Sequence, residues 1–180
     1  MTLDPKTFEE IVSRYYEPLY RFAYSLTQRE ADACDLTQDT FQQLGAKAHQ
    51  LRDAAKAKSW LFTTLYRAFI DARRRQARHP HVEADAFDHE LPVVEPDAPR
   101  RIDAAAAREA LLRIEEVYRA PLTLFHLEEH SYAEIAGILG IPIGTVMSRL
   151  SRGRALLREL LEDRDSKITP AVGSKTRTAP

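Results

Sequence analysis

Residues 131–154 read "SYAEIAGILGIPIGTVMSRLSRGR" and hold two short helical patterns on either side of a glycine. Ser131, with Glu134 in the third position after it, forms a capping box that starts a helix. Gly140 readily takes the left-handed backbone that ends a helix, and Pro142 suits the start of the next one. The residues predicted to face a core are Tyr132, Ile135, Ala136, Leu139, Val146, Leu150 and Leu157. The stretch therefore predicts a helix-turn-helix, whose second helix lies in the major groove of DNA.

The outward face predicted for the second helix is basic. Arginine suits both bidentate recognition of guanine and contact with phosphate. The candidate DNA-contacting residues on this helix are Thr145, Met147, Ser148, Arg149, Arg152 and Arg154. The alternative is a plain amphipathic hairpin with a solvated basic face. The capping box, turn glycine, proline and arginine cluster occur together, and this coincidence favours DNA binding.

Upstream of this motif, helical periodicity dominates residues 1–78, and no β-hairpin signal occurs. Asp4 and Pro5 start a first helix, which Pro18 should kink or split. Further helices are predicted over Ala31–Ala48 and Lys58–Arg78. The sequence thus predicts an all-α fold of two small helical domains joined by a flexible acidic linker. The predicted boundaries are 1–78 for a compact helical domain, 79–103 for a Pro-rich linker, 104–162 for the helix-turn-helix domain and 163–180 for a disordered tail.

Charge is distributed unevenly along the 180 residues, although the net charge is only −1. Residues 67–78 carry five arginines against one aspartate, and residues 147–158 carry four arginines and no acid. Residues 83–103 carry seven acids against two arginines. This mosaic is typical of a protein with one face for nucleic acid and another for protein. A single cysteine and the lack of a long apolar run predict a cytoplasmic protein without disulfides.

The helix-turn-helix segment, read on to "GRALLREL", resembles region 4 of the extracytoplasmic-function (ECF) sigma factors of bacterial RNA polymerase. The stretch "GIPIGTVMSRLSRGR" is highly specific to that family. The resemblance implies that residues 104–162 bind the minus-35 promoter element. It also implies core polymerase as a partner, through the clamp of its largest subunit and the flap of its second subunit.

The N-terminal domain carries an independent resemblance. "CDLTQDTFQQL" (Cys34–Leu44) resembles the region 2 segment that docks on the polymerase clamp, with Asp35, Gln38 and Asp39 as docking groups. Their spacing places all three on one helical face. An ordinary solvated acidic face remains the alternative.

The next helix, "KSWLFTTLYRAFIDARRRQ" (Lys58–Gln76), resembles the segment that melts DNA and binds the minus-10 element. Aromatics interleaved with arginines suit a single-stranded DNA platform, although Trp60 and Phe62 could equally be core residues. The candidate minus-10 residues are Trp60, Phe62, Tyr66, Arg67, Arg73, Arg74 and Arg75. Many relatives carry Arg-Asn where this chain has Tyr66-Arg67, so no minus-10 consensus is transferred.

The family resemblance also implies promoter DNA and an anti-sigma factor as partners, and no small-molecule substrate or cofactor. Asp85, Asp88 and Glu90 in the linker either reach towards the polymerase cleft or belong to a solvated spacer. Three other functions are alternatives to this one. A free-standing helix-turn-helix regulator would need a dimer interface or effector domain. An enzyme would need a phosphate loop, nucleophile motif or metal spacing, none of which occurs. A purely inhibitory interaction protein would not need arginine-lined helices.

Overall fold

The computed structural model describes residues 4–47, 56–78 and 98–168, and within these ranges every regular element is a helix. The all-α fold class is therefore confirmed. Within the same ranges no single helix is long and apolar enough to cross a membrane, although the last two helices pass that test as a bent pair. The helices are α1 (Pro5–Thr27), α2 (Glu30–Ala46), α3 (Ala57–Arg78), α4 (Ala98–Arg113), α5 (Glu116–His126), α6 (Tyr132–Leu139) and α7 (Ile143–Ile168).

Helix α1 starts as its sequence predicts, because the Asp4 carboxylate accepts a hydrogen bond from the backbone N–H of Thr7 at 3.4 Å. Pro18 lies inside α1 without splitting it, so the helix runs unbroken to Thr27. Its apolar stripe packs against α2 and α3. The buried residues of this stripe include Ile11, Leu19, Phe22 and Leu26.

Two helices extend beyond the helical limits predicted from the sequence. Helix α4 begins at Ala98, so the last residues assigned to the linker are helical. Pro99 does not prevent this, since the N–H groups of a first helical turn need no partner within the helix. Helix α7 continues to Ile168, beyond the predicted end at Glu162. The rest of the predicted linker and tail lies outside the described residues.

The N-terminal half (α1–α3) and the C-terminal half (α4–α7) pack against each other. Helix α1 contacts α5, and α3 contacts α6. Buried apolar residues of both halves form one hydrophobic cluster. The two predicted helical domains are therefore in direct contact with each other.

Within the C-terminal half, Gly153 permits the close approach of α7 to α5. A Cβ atom at this position would lie 2.8 Å from Leu122 Cδ1 and 3.1 Å from Leu122 Cγ. Because Leu122 is 1% exposed, it has little room to move.

We therefore expect Gly153→Ala to lower the free energy of unfolding by about 1–3 kcal/mol through overpacking. Gly137→Ala in α6 is the matched control, because a Cβ there meets nothing within 4 Å. That change should raise the free energy of unfolding by about 0.5–1 kcal/mol, as a helical alanine does. Urea denaturation of both variants measures the difference. Equal stabilities would show that the α5–α7 contact does not depend on this glycine.

Candidate nucleic-acid interface

A capping box starts α6, and a glycine at its end makes the turn that leads into α7. Ser131 Oγ accepts from the backbone N–H of Glu134 at 3.3 Å, and the Glu134 carboxylate accepts from the backbone N–H of Ser131 at 2.8 Å. The hydrogen bonds that its carboxylate accepts from the Ser131 backbone N–H and hydroxyl lower the pKa of Glu134. Gly140 ends α6 with φ 64°, and the chain bends by 103° between α6 and α7. This angle falls within the range of about 90–120° typical of a helix-turn-helix.

Helix α7 presents a polar face to solvent at its first turns. Val146 and Leu150 are fully buried, whereas Met147 is 51% exposed. Ser148 and Arg152 are also exposed. Thr145 and Arg149 are half-buried at the edge of this face. The structure thus brings together five of the candidate minus-35 residues.

Arg154 lies apart from that group. Its guanidinium carbon is 5.0 Å from the centroid of the Phe125 ring, and its Nε–H donates to Nε2 of His126 at 3.2 Å. Burial and the nearby Arg154 charge lower the pKa of His126, which suits an imidazole that accepts this hydrogen bond. Arg154 therefore contacts α5 on the side of α7 turned away from Arg152.

Helix α3 carries exposed arginines beside aromatic rings that face inward. Arg67, Arg74 and Arg75 are exposed. Phe62 is fully buried, and its ring centroid lies 5.5 Å from that of Phe22. Phe62 cannot stack on a base in this arrangement.

The other two aromatic candidates on α3 are only half-buried. They are Trp60 and Tyr66. Burial is the main cause that raises the pKa of the Tyr66 phenol, and the Glu116 carboxylate adds to it. Arg73 is 5.7 Å from the Phe69 ring centroid and forms an ion pair with Glu116 of the C-terminal half. One candidate arginine on α3 is therefore already engaged by a carboxylate.

The candidate docking groups occupy one exposed face of α2. Asp35, Gln38 and Asp39 are exposed, and Thr37 and Phe41 are buried on the other side of the helix. A cleft of about 640 Å³ separates this face from α3. Carboxylates from α2 and arginines from α3 line its two walls: Asp32, Asp35 and Asp39 opposite Arg73 and Arg75. The docking face and the basic face are therefore neighbours, which the sequence did not indicate.

Arg119 of α5 is a buried link between the two halves that the sequence interpretation missed. Arg119 is 6% exposed, and its Nε–H donates to the backbone carbonyl of Ser25 in α1. Its terminal nitrogen donates to the carbonyls of Leu112 and Ile114 at 2.9 and 2.7 Å. A buried guanidinium with these partners ties the C-terminal half to the end of α1.

Glu128, in the loop after α5, provides a second link between the halves. Its carboxylate accepts from Arg21 Nε at 3.1 Å, and its backbone carbonyl accepts from Lys58 Nζ. Burial raises the pKa of Glu128, and the Arg21 hydrogen bond opposes that effect. Arg21 is itself shared with Glu17 at 2.9 Å.

A groove of about 860 Å³ runs between α1, α4, α5 and α7. Leucines form most of its floor, and four arginines, including Arg108 and Arg158, lie around it. Leu127, at the edge of the groove, is 48% exposed. An apolar floor with a basic rim suits a protein segment better than a nucleic acid.

Comparisons with known proteins agree with these features. A family model described as sigma-70 region 2 matches residues 11–79, and one described as sigma-70 region 4 matches residues 104–157. The ECF RNA polymerase sigma factor SigM of Mycobacterium tuberculosis is 31% identical over 159 residues, covering 88% of this chain and 79% of the relative. The ECF RNA polymerase sigma factor SigE of Mycolicibacterium smegmatis is 32% identical over 171 residues, covering 92% of this chain but 66% of the relative.

A solved structure shares the fold at similar identity. It is the sigma factor RpoE of Bartonella quintana in complex with the anti-sigma factor NepR. The TM-score is 0.73 at 30% identity, and the match covers 87% of this chain and 98% of the other.

Proposed function

The chain belongs to the ECF sigma factors of the sigma-70 family, and we propose that α7 recognises the minus-35 element while α3 binds the minus-10 strand. Sigma factors are transcription initiation factors that bind core RNA polymerase and promoter DNA. The observation that carries the residue-level proposal is that each family region contains a helix bearing exposed arginines.

Neither basic surface is large enough to bind tightly alone, given a net charge of −1 for the chain. Core polymerase would hold the two surfaces at a fixed spacing. The second contact then becomes intramolecular, and its effective concentration raises the overall affinity. Promoter recognition is thus proposed to depend on polymerase.

Strand capture would occur on α3. Opening DNA costs about 1–2 kcal/mol per base-pair step in stacking. Stacking on an aromatic side chain returns about 1–3 kcal/mol per base. Trp60 and Tyr66 are the half-buried rings that support this proposal, with Arg67, Arg74 and Arg75 available to phosphates. A few captured bases would bias opening without ATP.

Two surfaces are proposed for protein partners. The acidic face of α2, with Asp35, Gln38 and Asp39, would dock on the clamp of the largest polymerase subunit. The apolar groove beside α7 would receive the flap of the second subunit. A protein anti-sigma factor is proposed as a further partner, because the similar RpoE was solved with one.

Reconstitution tests the whole proposal. The purified chain is mixed with bacterial core polymerase and a pool of randomised promoter fragments, and run-off transcripts are sequenced. We expect selective transcripts that share an upstream motif and a motif near the start site. The chain alone should not bind the duplex that carries these motifs. Tight duplex binding without polymerase, and no binding to core, would instead identify a free-standing helix-turn-helix regulator.

A further inference from the structure

The contact between the two halves surrounds a buried histidine. His130 lies in the loop before α6, and its side chain is fully buried. Its ring meets the Phe62 ring edge-on, with centroids 4.7 Å apart. Neither Nδ1 nor Nε2 has a hydrogen-bond partner. An imidazole in this setting is stable only while it is neutral.

Charged groups from both halves face this histidine. Lys58 of α3 comes from the N-terminal half and repels a protonated ring. Glu134 of α6 lies 3.9 Å from Nδ1, but its carboxylate already accepts two hydrogen bonds from Ser131. Arg21 of α1 forms an ion pair with Glu128, which lies two residues before His130 in the chain. Burial, with Lys58 adding to it, lowers the pKa of His130 to about 4.

The same contact covers part of the surface proposed for the minus-10 strand. Phe62 is buried between Phe22 and His130. Arg73 is paired with the Glu116 carboxylate, an anion that would compete with a DNA phosphate for this guanidinium. The charge of Arg149 in α7 acts on Tyr66, so the helix proposed for the minus-35 element lies close to α3.

We propose that this contact is self-masking: the C-terminal half closes over the strand-binding face of α3, and protonation of His130 releases it. The claim that the contact masks a strand-binding face rests on the proposed function of α3. The claim that acid releases the contact does not. Opening would expose Phe62 to solvent and separate Arg73 from Glu116. It would leave each half with its own helices and local hydrogen bonds.

The direction of the pH effect follows from the two states. In the open chain the imidazole titrates near its ordinary value of about 6.5. In the closed chain its pKa is lowered to about 4. Stability of the closed form is therefore complete above pH 6.5 and is lost as pH falls towards 4. Between pH 7.5 and pH 5.5 the ratio of closed to open chain should fall about tenfold.

A distance measurement on the full chain tests the contact itself. Spin labels are placed at Gln42→Cys in α2 and Glu159→Cys in α7, both exposed positions, in a Cys34→Ala background. We expect one short distance at pH 7.5 and about a tenfold rise in the open-to-closed ratio at pH 5.5. A distance distribution that does not change over this range would overturn the proposal.

Substitutions identify the responsible group. His130→Phe keeps the ring but cannot be protonated, so the pH response should disappear. His126→Gln removes another histidine, which contacts Arg154 outside this contact, and should leave the response intact. An equal response in His130→Phe would contradict the role of His130. If that variant fails to fold, Glu116→Gln provides the second test, since it should increase the open fraction several-fold at pH 7.5 while the pH response remains.

Binding of a fluorescent single-stranded oligonucleotide separates masking from opening. Glu116→Gln should bind it several-fold more tightly than the parent chain at pH 7.5. Opening without any gain in binding would contradict the strand-binding role of α3, while the distance data would still support an acid-released contact. No opening at pH 5.5 would refute the acid release of the contact, whatever the DNA result.

Discussion

Reversing two charges on α2, Asp35→Lys with Asp39→Lys, is expected to weaken binding to core polymerase by more than about a hundredfold. Each substitution places a cation where the proposed interface accommodates a carboxylate. Such like-charge juxtapositions cost several kcal/mol across an interface. Every 1.4 kcal/mol is about tenfold in affinity. The measurement is fluorescence anisotropy of the labelled chain titrated with core enzyme at near-physiological salt.

The control for this experiment is a pair of equal charge changes elsewhere. Glu9→Lys with Glu10→Lys alters two exposed acids on α1 and should leave core affinity within about threefold of the parent. Helix content should be unchanged in both pairs, because neither touches the buried face of α2 or α1. Unchanged affinity in the α2 pair would remove this face from the docking surface. Equal losses in both pairs would indicate a non-specific electrostatic effect.

Local sequence rules predicted the helices well. Asp4 caps α1, Ser131 and Glu134 form the capping box, and Gly140 takes the left-handed conformation. Each of these features depends on neighbours within a few residues, so it can be inferred without knowledge of the fold. Pro18 was expected to kink or split α1, but it lies inside a helix that continues to Thr27.

Long-range features could not be predicted in the same way. The links Arg119 to Ser25 and Lys58 to Glu128 join residues more than 60 positions apart in the chain. A charged residue among the apolar positions of α5 was a visible signal at Arg119, but its partner is a backbone carbonyl, which has no sequence signature. The packing of the two halves follows from such contacts. This packing also explains why Phe62 is fully buried here and why Arg73 meets a carboxylate.

The position of Arg154 shows the limit of reasoning from composition. Arg149, Arg152 and Arg154 were all predicted to contact DNA from one helix. Helical geometry separates residues two positions apart by about 200° around the axis. Arg152 therefore faces solvent while Arg154 contacts Phe125 and His126. Arginines that are close together in the sequence therefore lie in two different environments on one helix.

The second large effect concerns promoter recognition by α7. We expect Arg152→Ala to lower transcription from the cognate promoter by about 5- to 150-fold, because a bidentate contact to a base is worth about 1–3 kcal/mol. Arg152 is exposed, so the loss should come without unfolding. Arg149→Ala should act in the same direction. Initiation at limiting sigma is measured on the promoter recovered by selection, and core affinity is measured in parallel.

Salt dependence tells base contact from phosphate contact for these two residues. Loss of a phosphate contact weakens binding to all sequences and reduces the slope of log affinity against log salt by about 1. Loss of a base contact weakens the preference for one base at one promoter position, and it does so at every salt concentration. Arg113→Ala, which removes an exposed arginine at the end of α4, is the matched control and should change promoter selectivity little. If Arg152→Ala reduced core binding as much as it reduced transcription, the assignment of α7 to DNA would be wrong. Selective loss of transcription with intact core binding would place α7 on the promoter.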